Sequence, residues 1–389
     1  MTRLCPPCLE EFKSSVSHPV FQPQRLLDQA ITCLKECSDP ALESNFYQSA
    51  GYYHQSQNNN LLSEELFGKA LAAAQISGNI VLQSRALLYI GLPNWKIGNY
   101  VMGQHHASEA HRLDRLSGNL YHEGGALWVD ALCSRDLGDY DVAIKLLARS
   151  RNCLARCGLA GGRFDGDVMI SLADLHLLKS EYSEAYQIHT NMVQDAALTM
   201  DKRTHGFYLL NIAQIDVIIG TPAHNVQLKI DELKEIFTAL QNLGVEQGIE
   251  LISADLSLRE GNHAHAQSAF RTYFNIFLGN NTEYALYAIE RLADLERWET
   301  QYFDTTFVWA MSYLSYGFKL KNKLALHKAV ACIGQIYLAQ HDLATAHNLF
   351  TVALEGFVQM GVHHDRARCL LYLGNIAKQE GNVGKVDNR

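Results

Sequence analysis

Four cysteines near the N-terminus have spacings that could serve redox or metal chemistry. Cys5 and Cys8 form a CPPC motif, and Cys33 and Cys37 follow after 24 intervening residues. A thioredoxin-type redox site needs its first cysteine at a helix N-terminus within a βαβ layer, and no strand pattern lies near this motif. A zinc site built from all four cysteines is the second alternative. Because Cys33 and Cys37 stand four apart in an amphipathic helical pattern, we favour buried core thiols over both.

Patterns typical of common catalytic and nucleotide-binding sites do not occur in the sequence. The 17 histidines include the close pairs His105–His106, His263–His265 and His363–His364, but they form no HExxH motif. The glycine-rich stretch GLAGGRFDGD at 158–167 does not follow a strand, as a phosphate-binding loop would. Neither GxxxxGKS/T nor GxSxG is present. We therefore predict that the protein is not an enzyme and has no catalytic, cofactor-binding or metal-binding residues.

The balance of charged and apolar residues argues against two classes of partner. The formal net charge of −8 provides no basic surface for a phosphate backbone, so nucleic-acid binding is disfavoured. No stretch approaches the roughly 20 consecutive apolar residues of a membrane helix. Nine cysteines, an odd number scattered along the chain, fit reduced thiols better than a disulfide framework. These features predict a soluble, cytoplasmic protein.

A pair of helical patterns joined by a tight turn recurs about every 40 residues. A small residue stands seven positions before each turn, where a mid-helix glycine costs about 1 kcal/mol relative to alanine. Such a residue needs a packing reason, and we expect a second helix to cross the first at that point. The predicted turns are at Asn58, Gly98, Gly138, Ser180, Gly220, Gly261, a degenerate site near Thr300, His341 and Gly381. The small residues are Gly51, Gly91, Ala131, Ala173, Ala213, Ala254, Ala293, Gly334 and Gly374.

A further glycine follows several of these helix pairs at the same phase. Gly78, Gly118 and Gly158 stand 40 residues apart, and Gly361 keeps the phase later in the chain. Glycine directly after an amphipathic run is a common left-handed helix stop. No sustained alternating pattern predicts a strand. Together the three markers predict an all-α solenoid of helix pairs.

Two stretches resemble the tetratricopeptide repeat (TPR). In CIGQIYLAQHDLATAHNLFTVAL (332–354), Gly334, Tyr337, Ala346, Phe350 and Ala353 occupy positions of the TPR pattern, and LLYLGNIAKQEGN (370–382) is similar. The resemblance implies a right-handed superhelix of about nine antiparallel helix pairs, with a repeat longer than the usual 34 residues. It assigns 1–40 to an N-terminal segment and capping helix, 41–382 to the solenoid and 383–389 to a C-terminal tail.

A narrower resemblance is to the repeat arrays of fungal STAND-type NTPases. It is carried by GGRFDGDVMISLADLHLLKSEYSEAYQIHTNM at 161–192, LLNIAQIDVIIGTP at 209–222, and LFTVALEGFVQMGVHHDRARCLLYLGNIAKQEGN at 349–382. In those proteins the array lies C-terminal to a nucleotide-binding domain. This resemblance implies a sensor array whose NTPase domain is outside this chain, and the chain would then be a shortened or fragmented member.

In a TPR superhelix the first helix of each pair lines the concave groove. By this resemblance, the residue after each small residue faces the groove. In the last six repeats that residue is always Asp, Asn or Gln, and we name this set the polar ladder: Asp174, Gln214, Asp255, Asp294, Gln335 and Asn375. The ladder predicts a non-enzymatic scaffold that binds a protein or peptide partner. Its three carboxylates favour a basic or neutral partner, although a groove that simply faces water remains the alternative.

The region from Tyr273 to Phe318 is rich in aromatic residues. Core packing of a degenerate repeat pair is one interpretation. A patch for a partner or for self-association is the other, because aromatic residues are enriched at interface centres.

Overall fold

The computed structural model describes residues 39–57, 59–199, 202–239, 243–279, 281–294, 298 and 303–380. These residues form 17 helices and no strand. Cys5, Cys8, Cys33 and Cys37, the predicted capping helix and the predicted turns at Asn58, near Thr300 and at Gly381 lie outside the described residues.

The helices follow one another in pairs joined by short turns, and odd-numbered helices are the first members. The predicted all-α solenoid is confirmed: the described residues contain eight pairs and one further first helix. No described helix is long and apolar enough to cross a membrane. The helices are α1 Pro40–Ser56, α2 Asn60–Ile76, α3 Ile80–Lys96, α4 Tyr100–Ser117, α5 Leu120–Asp136, α6 Tyr140–Arg156, α7 Arg163–Leu178, α8 Tyr182–Thr199, α9 Lys202–Ile219, α10 Ala223–Ala239, α11 Leu243–Arg259, α12 His263–Phe277, α13 Thr282–Ala293, α14 Phe303–Leu320, α15 Lys323–Ala339, α16 Leu343–Met360 and α17 His363–Gln379.

The chain divides into two compact units. Unit 1 contains the described residues up to Cys133 together with Arg149–Gly158, and unit 2 contains Ser134–Ala148 and the described residues from Leu159 onwards. Buried phenylalanines lie in both, with Phe46 and Phe67 in unit 1 and Phe270 and Phe350 in unit 2.

Short polar side chains and glycines begin and end the helices. Gly118 and Gly361 end α4 and α16 at φ values of 71° and 70°, a left-handed conformation that glycine adopts without strain. Eight helices begin after an Asp or Asn whose side chain accepts a backbone N–H of the first turn, and Asn119 before α5 is one of them. The other seven are Asp39, Asn59, Asn79, Asn262, Asn281, Asn322 and Asp342.

The small residues of the first helices lie where the second helices cross them. A Cβ atom added to Gly91 in α3 would lie 3.3 Å from the carbonyl oxygen of Gly103 in α4. A Cβ atom on Gly334 in α15 would lie 3.0 Å from the ring of Phe350 in α16. Eight of the nine small residues are buried, and Gly374 is half-buried. The packing reason expected from the sequence is therefore confirmed at these glycines.

Unit 2 contacts itself between residues that are 184 positions apart. Nζ of Lys323 lies 2.6 Å from Oδ1 of Asp139, and the N–H of His364 donates to Oγ of Ser180 over 3.1 Å. Asp139 and Ser180 lie in turns between a first and a second helix. Lys323 and His364 lie at the start of later first helices. In both cases the turn of an early repeat therefore contacts the beginning of a first helix that lies 184 residues later, which is between four and five repeats along the chain.

Candidate functional site

The polar ladder follows the first helices of unit 2, but its six side chains are in different environments. Asp255, Asp294 and Gln335 are buried, Asp174 and Gln214 are half-buried, and Asn375 is exposed. Each of the three carboxylates lies against an arginine that the ladder itself does not contain. Whether the ladder contacts a partner stays a prediction.

Asp255 in α11 is held by two residues of α13. Nε of Arg291 donates to Oδ2 of Asp255 over 3.1 Å, and the Tyr287 hydroxyl donates to the same oxygen. The Arg291 guanidinium also stacks on the Tyr287 ring at 3.9 Å from its centroid. Both charged side chains are less than a tenth exposed. This group fixes α11 against α13.

Asp294 and Gln335 are connected through α17. Nη2 of Arg368 donates to both Asp294 carboxylate oxygens at 3.0 and 3.1 Å. The same Nη2 lies 3.3 Å from the Tyr372 hydroxyl, which accepts from Nε2 of Gln335 over 3.1 Å. Two ladder positions are therefore engaged by one arginine and one tyrosine from the last described helix.

Further charges connect the Asp255 and Asp294 groups into one network. Glu290 contacts Arg291 at 3.2 Å and Lys328 at 2.9 Å. Lys328 also lies 3.7 Å from Asp365, which lies 3.9 Å from Arg368. Burial would lower the pKa of Lys328, but Glu290 and Asp365 raise it above its ordinary value. Lys328 therefore stays protonated at neutral pH.

A second group surrounds Arg135, near the C-terminal end of α5. Its guanidinium contacts Asp136 at 2.8 Å, Asp174 at 3.1 Å and Glu283 at 3.7 Å. Burial would lower the pKa of Arg135, but these three carboxylates raise it well above its ordinary value. The side chain of Arg135 is only 4% exposed, whereas those of Asp174 and Glu283 are 23% and 47% exposed. We name Arg135, Asp136, Asp174 and Glu283 the acidic cluster, because its solvent-facing groups are carboxylates.

Unit 1 has a tyrosine–arginine group on its first helices. The rings of Tyr52 in α1 and Tyr89 in α3 lie with centroids 4.4 Å apart. Arg85 donates from Nη2 to Oδ1 of Asn45, while its buried Nε has no acceptor among the described residues.

No group of three or more His, Cys, Asp or Glu side chains in the described part of the chain could hold a metal ion. None of the described cysteines forms a disulfide, and Cys157 is exposed whereas Cys133, Cys153, Cys332 and Cys369 are buried. Burial raises the pKa of Cys369 to about 12, which suppresses the nucleophilic thiolate. The redox and zinc alternatives concern cysteines outside the described residues.

Sequence reasoning missed the cations that engage the ladder. Arg135 shows one detectable signal, because it lies at a turn-proximal position of a first helix. Arg291 and Arg368 could not be found from the repeat pattern. They lie 36 and 74 residues from the carboxylates they contact, and these distances do not match the period of about 40 residues.

Solved structures of Rap proteins are among those similar to this chain. The apo form of RapI superposes with a TM-score of 0.54 at 12% identity, covering 72% of this chain and 97% of that one. A Rap protein complexed with competence and sporulation factor superposes with a TM-score of 0.53 at 13% identity, covering 97% of this chain and 86% of that one. The chain has a TPR-like helical repeat fold. No family model and no curated protein matches the sequence.

Proposed function

We propose that this TPR-like protein is a non-enzymatic interaction module that binds a basic segment of a protein or peptide partner. The observation that carries the proposal is the acidic cluster of unit 2. There, a buried arginine is surrounded by Asp136, Asp174 and Glu283, and the two most exposed of these carboxylates face solvent.

The difference in exposure decides the sign of the charge that a partner meets. Arg135 is almost completely covered, so a ligand approaching the cluster meets Asp174 and Glu283 first. A lysine or arginine side chain would gain charge-assisted hydrogen bonds there, whereas an acidic side chain would be repelled. The predicted preference for a basic partner is therefore proposed to act at these two residues.

The ladder residues take two roles in this proposal. Asp255, Asp294 and Gln335 are buried in ionic and hydrogen-bonded contacts, so their role is to hold the first helices in register. Asp174, Gln214 and Asn375 keep solvent-accessible polar groups, and they are the ladder positions proposed to contact a partner.

The Rap structure with bound competence and sporulation factor supports this proposal by analogy, because it is a protein of the same fold in a complex. A cytoplasmic location stays a prediction from the scattered cysteines. The STAND-type sensor array stays the alternative function, and a nucleotide-binding sequence upstream of Met1 in the gene would favour it.

Binding to designed peptides tests the proposed site. The probes are fluorescent Gly-Ser-Ala peptides that carry either two arginines or two glutamates, measured by anisotropy at low and high salt. We expect salt-sensitive binding of the arginine peptide only, weakened by Glu283→Gln and by Asp174→Asn. Glu355→Gln removes an exposed carboxylate elsewhere in unit 2 and is the matched control. Equal binding of both peptides, or equal loss in the control variant, would contradict the proposal.

A further inference from the structure

Helix α14 presents apolar side chains to solvent along one face. Val308 is 61% exposed, Met311 45% and Phe318 77%. Ser315, also exposed, completes a run with spacings of three, four and three residues. We name these four residues the α14 seam. Apolar residues that recur every three or four positions lie on one face of a helix, and such a face is typical of a helix that packs along a second helix.

The seam borders a groove that could receive another helix. Phe274 of α12 forms part of the groove together with Phe307, Met311 and Tyr316 of α14. Phe274 itself is buried and contacts the rings of Trp309 and Tyr316 at centroid distances of 5.5 and 6.1 Å. The inner aromatic residues of this region therefore form core, as one interpretation of the sequence predicted, while the seam lies outside that core.

The charges on the exposed side of α14 have opposite signs at its two ends. Asp304 lies in the first turn, Lys319 lies in the last turn, and Lys321 follows directly. All three are exposed, and none forms an ion pair with another described residue. Asp304 and Lys321 are 17 residues apart, which is about 25 Å along a helix. The seam lies between them.

This arrangement is complementary to a second copy of itself in one orientation. If two α14 helices pack antiparallel about a two-fold axis near Ser312 and Tyr313, Val308 of each copy faces Phe318 of the other. Asp304 of each copy then lies near Lys319 and Lys321 of the other. A parallel arrangement would instead place like charges together. A two-fold axis makes the contact closed and self-complementary.

We propose that the protein forms a homodimer through antiparallel packing of the α14 seam against the seam of a second copy. The self-association predicted from the aromatic-rich region is thereby assigned to α14. The proposal does not depend on the acidic cluster or on the proposed function.

Sedimentation velocity of the full chain across a concentration series tests the dimer. We expect a concentration-dependent dimer whose dissociation constant rises at least about tenfold in Met311→Lys, because a charge would lie at the centre of the apolar contact. Val352→Lys changes a residue of similar exposure on α16 and should dimerise as the wild type does. Circular dichroism establishes that each variant is folded.

Charge exchange tests the orientation. Asp304→Lys alone places positive charge opposite Lys319 and Lys321 of the other copy, and should weaken the dimer. The triple variant Asp304→Lys, Lys319→Asp and Lys321→Asp reverses every charge of the pair and should restore it. A wild type that stays monomeric, a Met311→Lys variant that dimerises normally, or a triple variant that is weaker than Asp304→Lys would each overturn the proposal.

Discussion

Nζ of Lys323 lies 2.6 Å from Oδ1 of Asp139, which precedes it by 184 residues. Both side chains are about half exposed, so solvent screens their attraction. We expect Asp139→Asn to lower the free energy of unfolding by less than about 1 kcal/mol. Urea denaturation at low and high salt measures this, and a loss of several kcal/mol would show that the contact is protected from solvent.

The Asp255–Arg291 pair should behave very differently, because both side chains are buried. Asp255→Asn leaves the buried guanidinium without its main carboxylate and should destabilise the protein by about 3 kcal/mol. Arg291→Met added to Asp255→Asn should recover more than half of that loss, since no unpaired charge then remains in this contact. Urea denaturation of the single and double variants measures both values.

Lys69→Met, which breaks the exposed Lys69–Glu65 pair, is the control for this buried pair, and its stability should change little. A double variant less stable than Asp255→Asn would contradict this account.

Asp114 in α4 is predicted to make unit 1 less stable at high pH. Its side chain is completely buried, and this burial raises its pKa to about 7. The folded state therefore holds a proton that the unfolded state releases near pH 4, so stability falls between about pH 4 and pH 7. We expect Asp114→Asn to be more stable than the wild type at pH 8 by up to about 4 kcal/mol, and similar to it at pH 4. Thermal unfolding of both proteins between pH 4 and pH 8 measures how their stability changes with pH. A stability difference between Asp114→Asn and the wild type that does not change with pH would contradict this prediction.

His189 in α8 should have the opposite dependence on pH. It is 1% exposed, and burial lowers its pKa to about 4. The unfolded state binds the proton first, so stability is lost as pH falls from about 6.5 towards 4. His189→Phe keeps a ring near Tyr208 and should remove up to about 3 kcal/mol of that loss. The same melting series measures it, with exposed His265→Phe as control. If His189→Phe loses as much stability as the wild type when the pH falls from about 6.5 towards 4, His189 is not the cause of that loss.

Two glycines of unit 1 test the helix packing, because their replacement by alanine should change stability in opposite directions. A Cβ on Gly103 would lie 2.8 Å from Sγ of Cys133 and 3.1 Å from the carbonyl oxygen of Gly91, so Gly103→Ala should destabilise by about 1–3 kcal/mol. Gly68 in α2 has nothing within 4 Å of the same position. Gly68→Ala should therefore stabilise by about 0.5–1 kcal/mol through helix propensity. Denaturation of both variants measures the two signs, and the same sign in both would refute the packing argument.

The helix pairs and their crossing points were predictable because they depend on periodic features. Gly91 and Gly103 stand at fixed positions relative to the turn, and every repeat needs a small residue at such a crossing. Gly118 and Gly361 were predictable for a similar reason. The helix end there needs a backbone with positive φ, and glycine is the residue that adopts it without strain.

The environment of the polar ladder was not predictable from the same pattern. Asp174, Asp255 and Asp294 share one phase, but their arginines lie 39, 36 and 74 residues away. Partners at unequal offsets come from the three-dimensional packing of helices, which a repeat period does not encode. Of the three aspartates, Asp255 and Asp294 are therefore buried in ionic contacts, whereas Asp174 lies with Glu283 nearer the surface.

The 184-residue offset restricts how this protein can evolve. An open repeat array can gain or lose a unit by recombination, because each repeat depends only on its neighbours. In unit 2, removal of one repeat between Asp139 and Lys323 would bring a different helix start to Asp139, and the Ser180–His364 contact would change in the same way. We therefore expect natural relatives to vary by substitution within this segment, and to gain or lose whole repeats outside it.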